Sequence, residues 1–435
     1  MFQAVNQLEV RCWGKRVGAV ALDPRYGYYA FEYDSDFQRT GIQLAPLATP
    51  LDAQGVQVYV DLPEKTYYRL PAFIADSLPD AFGNTLVDAW MQRHGVRRNQ
   101  ITPLDRLAYV GKRGMGALEY RPILHGESVQ PSVLEVSDLV EAARKAVSAE
   151  FADGSLDYLD SELAQLISVG TSAGGARAKA VVGYEPQSEK FISGQFEVPK
   201  NYEHWLIKFD VSDAKKLGKS QEYGRIEYAY YLMARACGIT MEESRLYEKA
   251  GRAHFMTRRF DRGENNVRHH VQTLCAMASM DYNALRVHDY SQIFMTAQAL
   301  DFPFESMDEI FRRMVFNVAM CNRDDHTKNH GFILRQGNPW RLAPAYDITH
   351  ARGEGTGAWT TQHIMGVDGV FDDITRSDVL RVGKRHHVKD KDGIIDCIVE
   401  VASKWNEFAD QAGLSPAERE RVGADIARFS TLLRR

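Results

Sequence analysis

Apolar and polar positions alternate in two rhythms along the chain. From Leu8 to Ala30, Val10, Val17 and Val20 stand among polar residues, and a Pro24–Gly27 turn precedes Tyr28–Tyr33. This pattern predicts short strands. From Phe73 to Gln92 the rhythm lengthens, with Phe73, Leu78, Phe82, Leu86 and Trp90 at roughly helical intervals and Pro79 breaking the first part. A turn-rich stretch from Tyr109 to Pro122 carries Gly111, Gly114 and Gly116. Loop-like residues around Arg121 to Pro131 then mark a boundary. Ser137 is the expected N-cap of a helix running through Leu139 to Val147.

Further on, Lys179–Gly183 and Trp205–Phe209 read as buried strands, and Glu243–Glu248 and His254–Thr257 at the end of the middle segment read as strands again. Between them Ile226–Cys237 reads as a helix with Tyr228, Tyr231, Leu232 and Ala236 as its expected buried positions. The last third is mostly helical. Ile310, Phe311, Met314, Val315 and Val318 form an apolar stripe that leads into Asn322-Arg323-Asp324-Asp325-His326. The final helix opens with Ser415 as N-cap, Pro416 in the first turn and Glu418 closing an expected capping box.

Of the 435 residues 44% are hydrophobic and 26% charged, which suits a globular chain with a substantial core. A net charge of −5 argues against a generally basic nucleic-acid binder. No run approaches the ~20 apolar residues that span a bilayer. The opening residues lack the cationic start and apolar core of a secretory signal. Five scattered cysteines (Cys12, Cys237, Cys275, Cys321, Cys397) offer neither a disulfide framework nor a thiolate zinc site, so a reducing, cytoplasmic setting is expected.

The residues that carry chemistry lie between Cys321 and Asp347: CNRDDHTKNHGFIL, a turn at Gln336-Gly337-Asn338, then WRLAPAYD. Phosphoryl transfer needs a carboxylate to accept the proton of the attacking hydroxyl, and an amide with a second carboxylate to hold Mg²⁺ against the phosphates. Asp324 and Asn329 have the spacing of a protein-kinase base and its metal-binding asparagine, and Asp347 follows the hairpin. Lys328 is placed to neutralise the transferred phosphoryl group. Asp325 competes with Asp324 for the base role, but only Asp324 has the kinase interval; a hydrolytic metal site on Asp324, Asp325 and His326 is the other arrangement these letters allow. A small-residue stretch, Ser168 to Lys179, includes Ser172, Ala173, Gly174, Gly175 and Ala176 and lets backbone N–H groups approach phosphates, with Arg177 or Lys179 adding charge. It matches neither common phosphate-loop motif. Lys208, inside the apolar strand Trp205–Phe209, either faces solvent or binds the α- and β-phosphates with a helix glutamate such as Glu227 as partner.

These segments resemble the HipA family of serine/threonine kinases, toxins of bacterial toxin–antitoxin systems. The resemblance rests on Ser-Leu-Pro-Asp-Ala-Phe-Gly (77–83), Val-Gly-Lys-Arg-Gly-Met-Gly-Ala-Leu (110–118), Gly-Gly-Ala-Arg-Ala-Lys (174–179), Leu-Ile-Lys-Phe (206–209), Arg-Arg-Phe-Asp-Arg (258–262), Asn-Arg-Asp-Asp-His-Thr-Lys-Asn (322–329) and Leu-Ala-Pro-Ala-Tyr-Asp (342–347). Arg177 and Arg258 stand where the best-known members carry glutamine and glutamate. The resemblance implies an α/β, two-lobed, protein-kinase-like fold with a small β-rich N-terminal domain (1–125), a region with phosphate loop and ATP lysine (126–265) and a mainly helical C-terminal lobe (266–435). It implies ATP and Mg²⁺ as cofactors, the base role for Asp324, metal ligation for Asn329 and Asp347, and the phosphate lysine role for Lys208. Nucleotide contacts fall on Arg259, Phe260, His326, Lys328 and Tyr346, and the autophosphorylated loop serine on Ser172, with Ser168 and Thr171 as neighbours. It further implies a separate helix-turn-helix antitoxin as partner, no direct nucleic-acid or membrane contact, and a translation protein such as an aminoacyl-tRNA synthetase as substrate. A kinase of small molecules, or a module that binds ATP without transfer, are the other classes that such motifs allow.

Overall fold

The computed structural model describes residues 4–124, 133–147, 177–210, 222–249, 251–353 and 359–434. The chain divides into two compact units, one made of residues 1–221, 247–272 and 334–338, the other of 222–246, 273–333 and 339–435.

The first unit begins with an antiparallel sheet. The strands Gln7–Cys12 and Lys15–Asp23 pair with Leu8 opposite Val20, Tyr28–Tyr33 adds on one side and Leu118–Arg121 on the other. The expected alternation is what builds it: Leu8, Val10, Cys12, Val17, Val20 and Phe31 all turn to the buried face. The Phe73–Gln92 periodicity resolves into a short turn of helix, Ala72–Ala75, and a longer helix, Ala81–Arg93. The break falls at Pro79, and Asp80 caps the second helix by accepting the Gly83 N–H at 2.6 Å.

Five neighbouring strands of a second, six-stranded sheet pair antiparallel in the spatial order Val133–Leu134, Lys190–Ser193, Lys179–Glu185, Glu203–Lys208 and Arg252–Arg258. Its register sets Lys208 directly opposite Lys179 on one neighbour and Phe255 on the other. Ala180, Val182, Trp205, Ile207 and Met256 pack with Leu86, Met91, Tyr109 and Leu139 into one core. The helix beside it starts at Val136 rather than after Ser137, so Ser137 lies in the first turn and is not the cap.

In the second unit the helix Glu305–Ala319 buries the whole predicted stripe. The helix Tyr223–Ala236 departs from expectation. Its buried side chains are Ile226, Glu227, Ala229, Tyr230, Met233 and Ala234, whereas Tyr228 and Tyr231 stack on one another at its partly exposed face and Ala236 is exposed. Tyr230 is buried with its hydroxyl donating to the Met320 carbonyl. At the last helix, Pro416–Thr431, Ser415 does accept the Glu418 N–H. The reciprocal half of the expected capping box is missing, because Glu222 takes the Ser415 N–H at 2.8 Å and Glu418 binds Arg421 instead. No helix among the described residues is long and apolar enough to cross a membrane.

Candidate active site

The stripe helix Glu305–Ala319 ends in a turn at Met320 and Cys321, where Cys321 takes a left-handed backbone (φ 53°). The polar loop that follows is held by a buried chain of hydrogen bonds. Asn322 Nδ2 donates to Asn317 Oδ1 at 2.9 Å, Asn317 Nδ2 donates to the Tyr290 hydroxyl at 2.8 Å, and Tyr290 donates to Asp325 Oδ2 at 2.9 Å.

The two adjacent aspartates are thereby given opposite environments. Asp325 has a fully buried side chain that also accepts His363 Nδ1 at 2.8 Å and the backbone N–H groups of Ile364 and Met365 at 2.8 and 3.4 Å. Burial alone raises its pKa, but the charge and hydrogen bond of His363 and the other donors outweigh it and hold the carboxyl below its ordinary value. Asp324 points the other way, with a side chain 43% exposed. Its Oδ1 accepts the Trp359 indole N–H at 2.6 Å.

After Asp325 the chain makes a single 3-10 turn, Thr327–Asn329. Thr327 anchors it by donating to the Met280 carbonyl, and Asn329 Nδ2 donates to the Asp324 carbonyl at 2.7 Å. With the amide nitrogen so used, the Asn329 oxygen is the end left for a cation. Lys328 lies with its Nζ 4.5 Å from the centre of the Tyr282 ring. The hairpin Gly331–Leu334 and Arg341–Leu342 then returns the chain past this loop, with Phe332 opposite Leu342.

The strand's continuation is pinned on both sides. Ala345 N–H bonds the Thr240 carbonyl, the Tyr346 hydroxyl donates to the Lys328 carbonyl at 2.8 Å, and Ala351 bonds both Cys321 and Arg323 through backbone groups. Tyr346 approaches because position 331 is glycine: a Cβ there would meet the Tyr346 hydroxyl oxygen at 2.9 Å. Asp347, inside this clamp, is left-handed at φ 55°, a conformation that aspartate tolerates better than most residues. His326 senses the convergence. Burial lowers its pKa, and the two carboxylates Asp324 and Asp347 both push it back up. Asp324, His326, Lys328, Asn329, Tyr346 and Asp347 are therefore gathered in one place. Close by, Asp425 of the last helix accepts His350 Nε2 at 2.9 Å and a guanidinium bond from Arg352. Cys321 completes a group of three metal-type ligands within 4.8 Å, but His350 and Arg352 already satisfy the carboxylate.

The remaining expected residues belong to the first unit. Lys179 is buried in an ion pair with Asp80, Nζ to Oδ2 3.0 Å. Lys208 is half-buried, with its Nζ 5.8 Å from the centre of the Phe255 ring. Arg259 carries its guanidinium to Asp261 by two hydrogen bonds of 2.9 and 2.7 Å. Asp261 also accepts Arg262 and the Gly116 N–H, while Arg262 and Arg268 reach the carbonyls of Gly114, Gly116 and Leu118. The 258–262 motif thus clasps the glycine-rich 110–118 motif. Ser168, Thr171, Ser172, Ala173, Gly174, Gly175 and Ala176 lie outside the described residues.

Several members of these networks carried no signal in the sequence. Tyr290, Trp359 and His363 stand 35, 35 and 38 residues from the aspartates they bond, and Asn317 lies five residues before Asn322; none belongs to a recognisable spacing. Asp80 stood in view as part of the 77–83 motif, without any sign of its partner.

The fold is α/β, with helices and sheets mixed along the chain. The chain belongs to the HipA family: the model of the HipA-like C-terminal domain matches residues 171–431 and that of the HipA N-terminal domain matches residues 8–121. Among solved structures it is similar to HipA in the Shewanella oneidensis MR-1 toxin–antitoxin complex of HipA, HipB and operator DNA, at 16% identity and a TM-score of 0.65, covering 98% of each chain. The Helicobacter pylori proinflammatory kinase CtkA gives 12% identity and a TM-score of 0.35 over 54% of this chain and 88% of its own.

Proposed function

We propose that this protein is an ATP- and Mg²⁺-dependent serine/threonine kinase of the toxin–antitoxin type, with Asp324 as general base. The observation that carries this is the contrast between neighbours: Asp325 is consumed by four donors in the interior, while Asp324 keeps an accessible carboxylate five residues before Asn329. An aspartate already bound on both oxygens cannot accept a substrate proton; a half-exposed one can.

The donor set suits Mg²⁺. Asn329 offers an amide oxygen and Asp347 a carboxylate, both hard oxygen ligands of the kind that cation prefers. Bound there, the cation would neutralise phosphate charge. Asp324 would take the proton as the acceptor hydroxyl attacks the γ-phosphorus and the bond to the β-phosphate oxygen breaks. Lys328 would add positive charge beside the transferred group. His326 and Tyr346 would flank the nucleotide, and Lys208 and the small residues 172–176 would take its phosphates. The Arg259 guanidinium gives Nε and Nη2 to Asp261, so a nucleotide contact at Arg259–Phe260 would use Nη1, the backbone or the Phe260 ring. Lys179, tied to Asp80, would not meet phosphate directly.

Family membership supports the remaining roles: autophosphorylation at Ser172, a cytoplasmic setting, and a serine of a translation protein such as an aminoacyl-tRNA synthetase as target. The Shewanella HipA was solved with HipB and operator DNA. By that likeness the partner here is a separate helix-turn-helix antitoxin that makes the DNA contact. The test is phosphoproteomics of cells expressing wild type against Asp324→Asn, with peptide mapping of the purified enzyme after Mg-ATP. A phosphoserine at Ser172 and one dominant kinase-dependent target support the proposal. Identical phosphoproteomes and no self-phosphorylation would sink it.

A further inference from the structure

Three consecutive loop residues each hold a different residue of one later stretch. Arg323 donates to the Thr361 carbonyl, Asp324 accepts the Trp359 indole N–H at 2.6 Å, and Asp325 accepts His363 Nδ1 and the Ile364 N–H, each at 2.8 Å. The contacts of Arg323 and Asp325 involve side chains almost removed from solvent. They fix the backbone immediately following Trp359. His326 Nε2, at 3.9 Å from the same Asp324 oxygen, is too far to hydrogen-bond, so the indole is the close donor.

A carboxylate on a half-exposed side chain turns broadly about its last torsion. Proton acceptance demands more: one oxygen must face the acceptor hydroxyl while that hydroxyl attacks in line, and small misplacements are costly in rate. An indole N–H donates and cannot accept, so it can occupy Oδ1 without competing for the incoming proton. Oδ2 is left for the substrate. We infer that Trp359 is a positioning residue, whose indole N–H fixes the Asp324 carboxylate so that its second oxygen meets the acceptor hydroxyl. This rests on Asp324 being the base of a phosphoryl transfer.

The same bond could describe a plug, an indole sitting where substrate must enter and leaving before reaction. The anchoring speaks against that. Withdrawing Trp359 would pull on the Thr361 and His363–Ile364 contacts that follow it at once in the chain, including two bonds to a fully buried carboxylate.

Trp359→Phe removes the N–H and keeps an aromatic ring. In steady-state assays with labelled ATP it should lower kcat roughly 10- to 100-fold, the worth of one hydrogen bond to a charged group. KM for ATP should stay at the wild-type value. In an Asp324→Asn background the same change should cost nothing further, because no charged base is left to orient. An unchanged kcat overturns the inference. A raised kcat overturns it in favour of the plug, and an equal loss in the Asp324→Asn background overturns it in favour of a purely structural role. A wild type that binds no ATP and transfers no phosphate removes the kinase proposal itself; active wild type with equally active Trp359→Phe removes only the role of Trp359.

Discussion

The Lys179 ammonium lies 3.0 Å from the carboxylate of Asp80, both almost out of contact with water. Ninety-nine residues apart, they tie the cap of the helix Ala81–Arg93 to the strand Lys179–Glu185. Asp80 does two things at once, accepting the Gly83 N–H and neutralising the lysine. The two family motifs in which these residues sit are therefore halves of one contact. Replacing Lys179 by methionine leaves a buried unpaired carboxylate, which typically costs ~3–5 kcal/mol. Asp80→Ala strands the lysine and also removes a helix cap worth about 1 kcal/mol. Asp80→Ala should accordingly lower stability at least as much as Lys179→Met in urea unfolding.

The adjacent aspartates should separate activity from stability. Asp324→Asn should melt like wild type and lose about 10²–10⁴ in transfer rate, the usual value of a positioned general base. Asp325→Asn turns an amide group toward donors that need an acceptor, and an unmet buried group costs about 1–3 kcal/mol. It should therefore lower the melting temperature as well as activity. Equal melting temperatures for the two variants would contradict the division drawn between them.

Lys208 faces Lys179 across one pair of strands and Phe255 across the next. Among its contacts is the Phe255 ring, whose centre lies 5.8 Å from its Nζ. Lys208→Ala should abolish most of the rise in melting temperature that Mg-ATP produces. An ATP-induced rise equal to that of wild type would remove Lys208 from the nucleotide site.

Three buried histidines of the first unit set an acid limit on stability. His204, His254 and His270 are each pushed by burial from 6.5 down to about 4. The folded form holds them neutral in the interval where the unfolded chain would protonate them. Between pH 6.5 and about 4 the unfolded state thus binds more protons, and stability falls as pH falls. Unfolding free energy followed across that interval should decline steadily, and His254→Gln should flatten the slope. A stability independent of pH over this window would show that these side chains are charged or exposed.

Much of this molecule was legible before its structure. Alternation at Leu8–Ala30, the break at Pro79, the stripe from Ile310 to Val318 and the order from Asp324 through Asn329 to Asp347 all follow from local rules, because strand and helix periods and a turn's spacing act within a few residues. The preference for Asp324 over Asp325 came from spacing alone. What gives the two carboxylates different chemistry is Tyr290, His363 and Ile364 arriving from elsewhere to enclose one of them. Likewise the buried face of Tyr223–Ala236 turned on where Tyr230 and Glu227 found room, and the Ser415 cap on Glu222 reaching its N–H first. Sequence by itself determined the elements, the order of the motifs and the family. Tertiary structure alone decided which charges are buried as pairs, which carboxylate stays open, and that an indole from a glycine-rich stretch holds it, since desolvation and hydrogen-bond geometry depend on neighbours in space and leave no periodic trace in the chain.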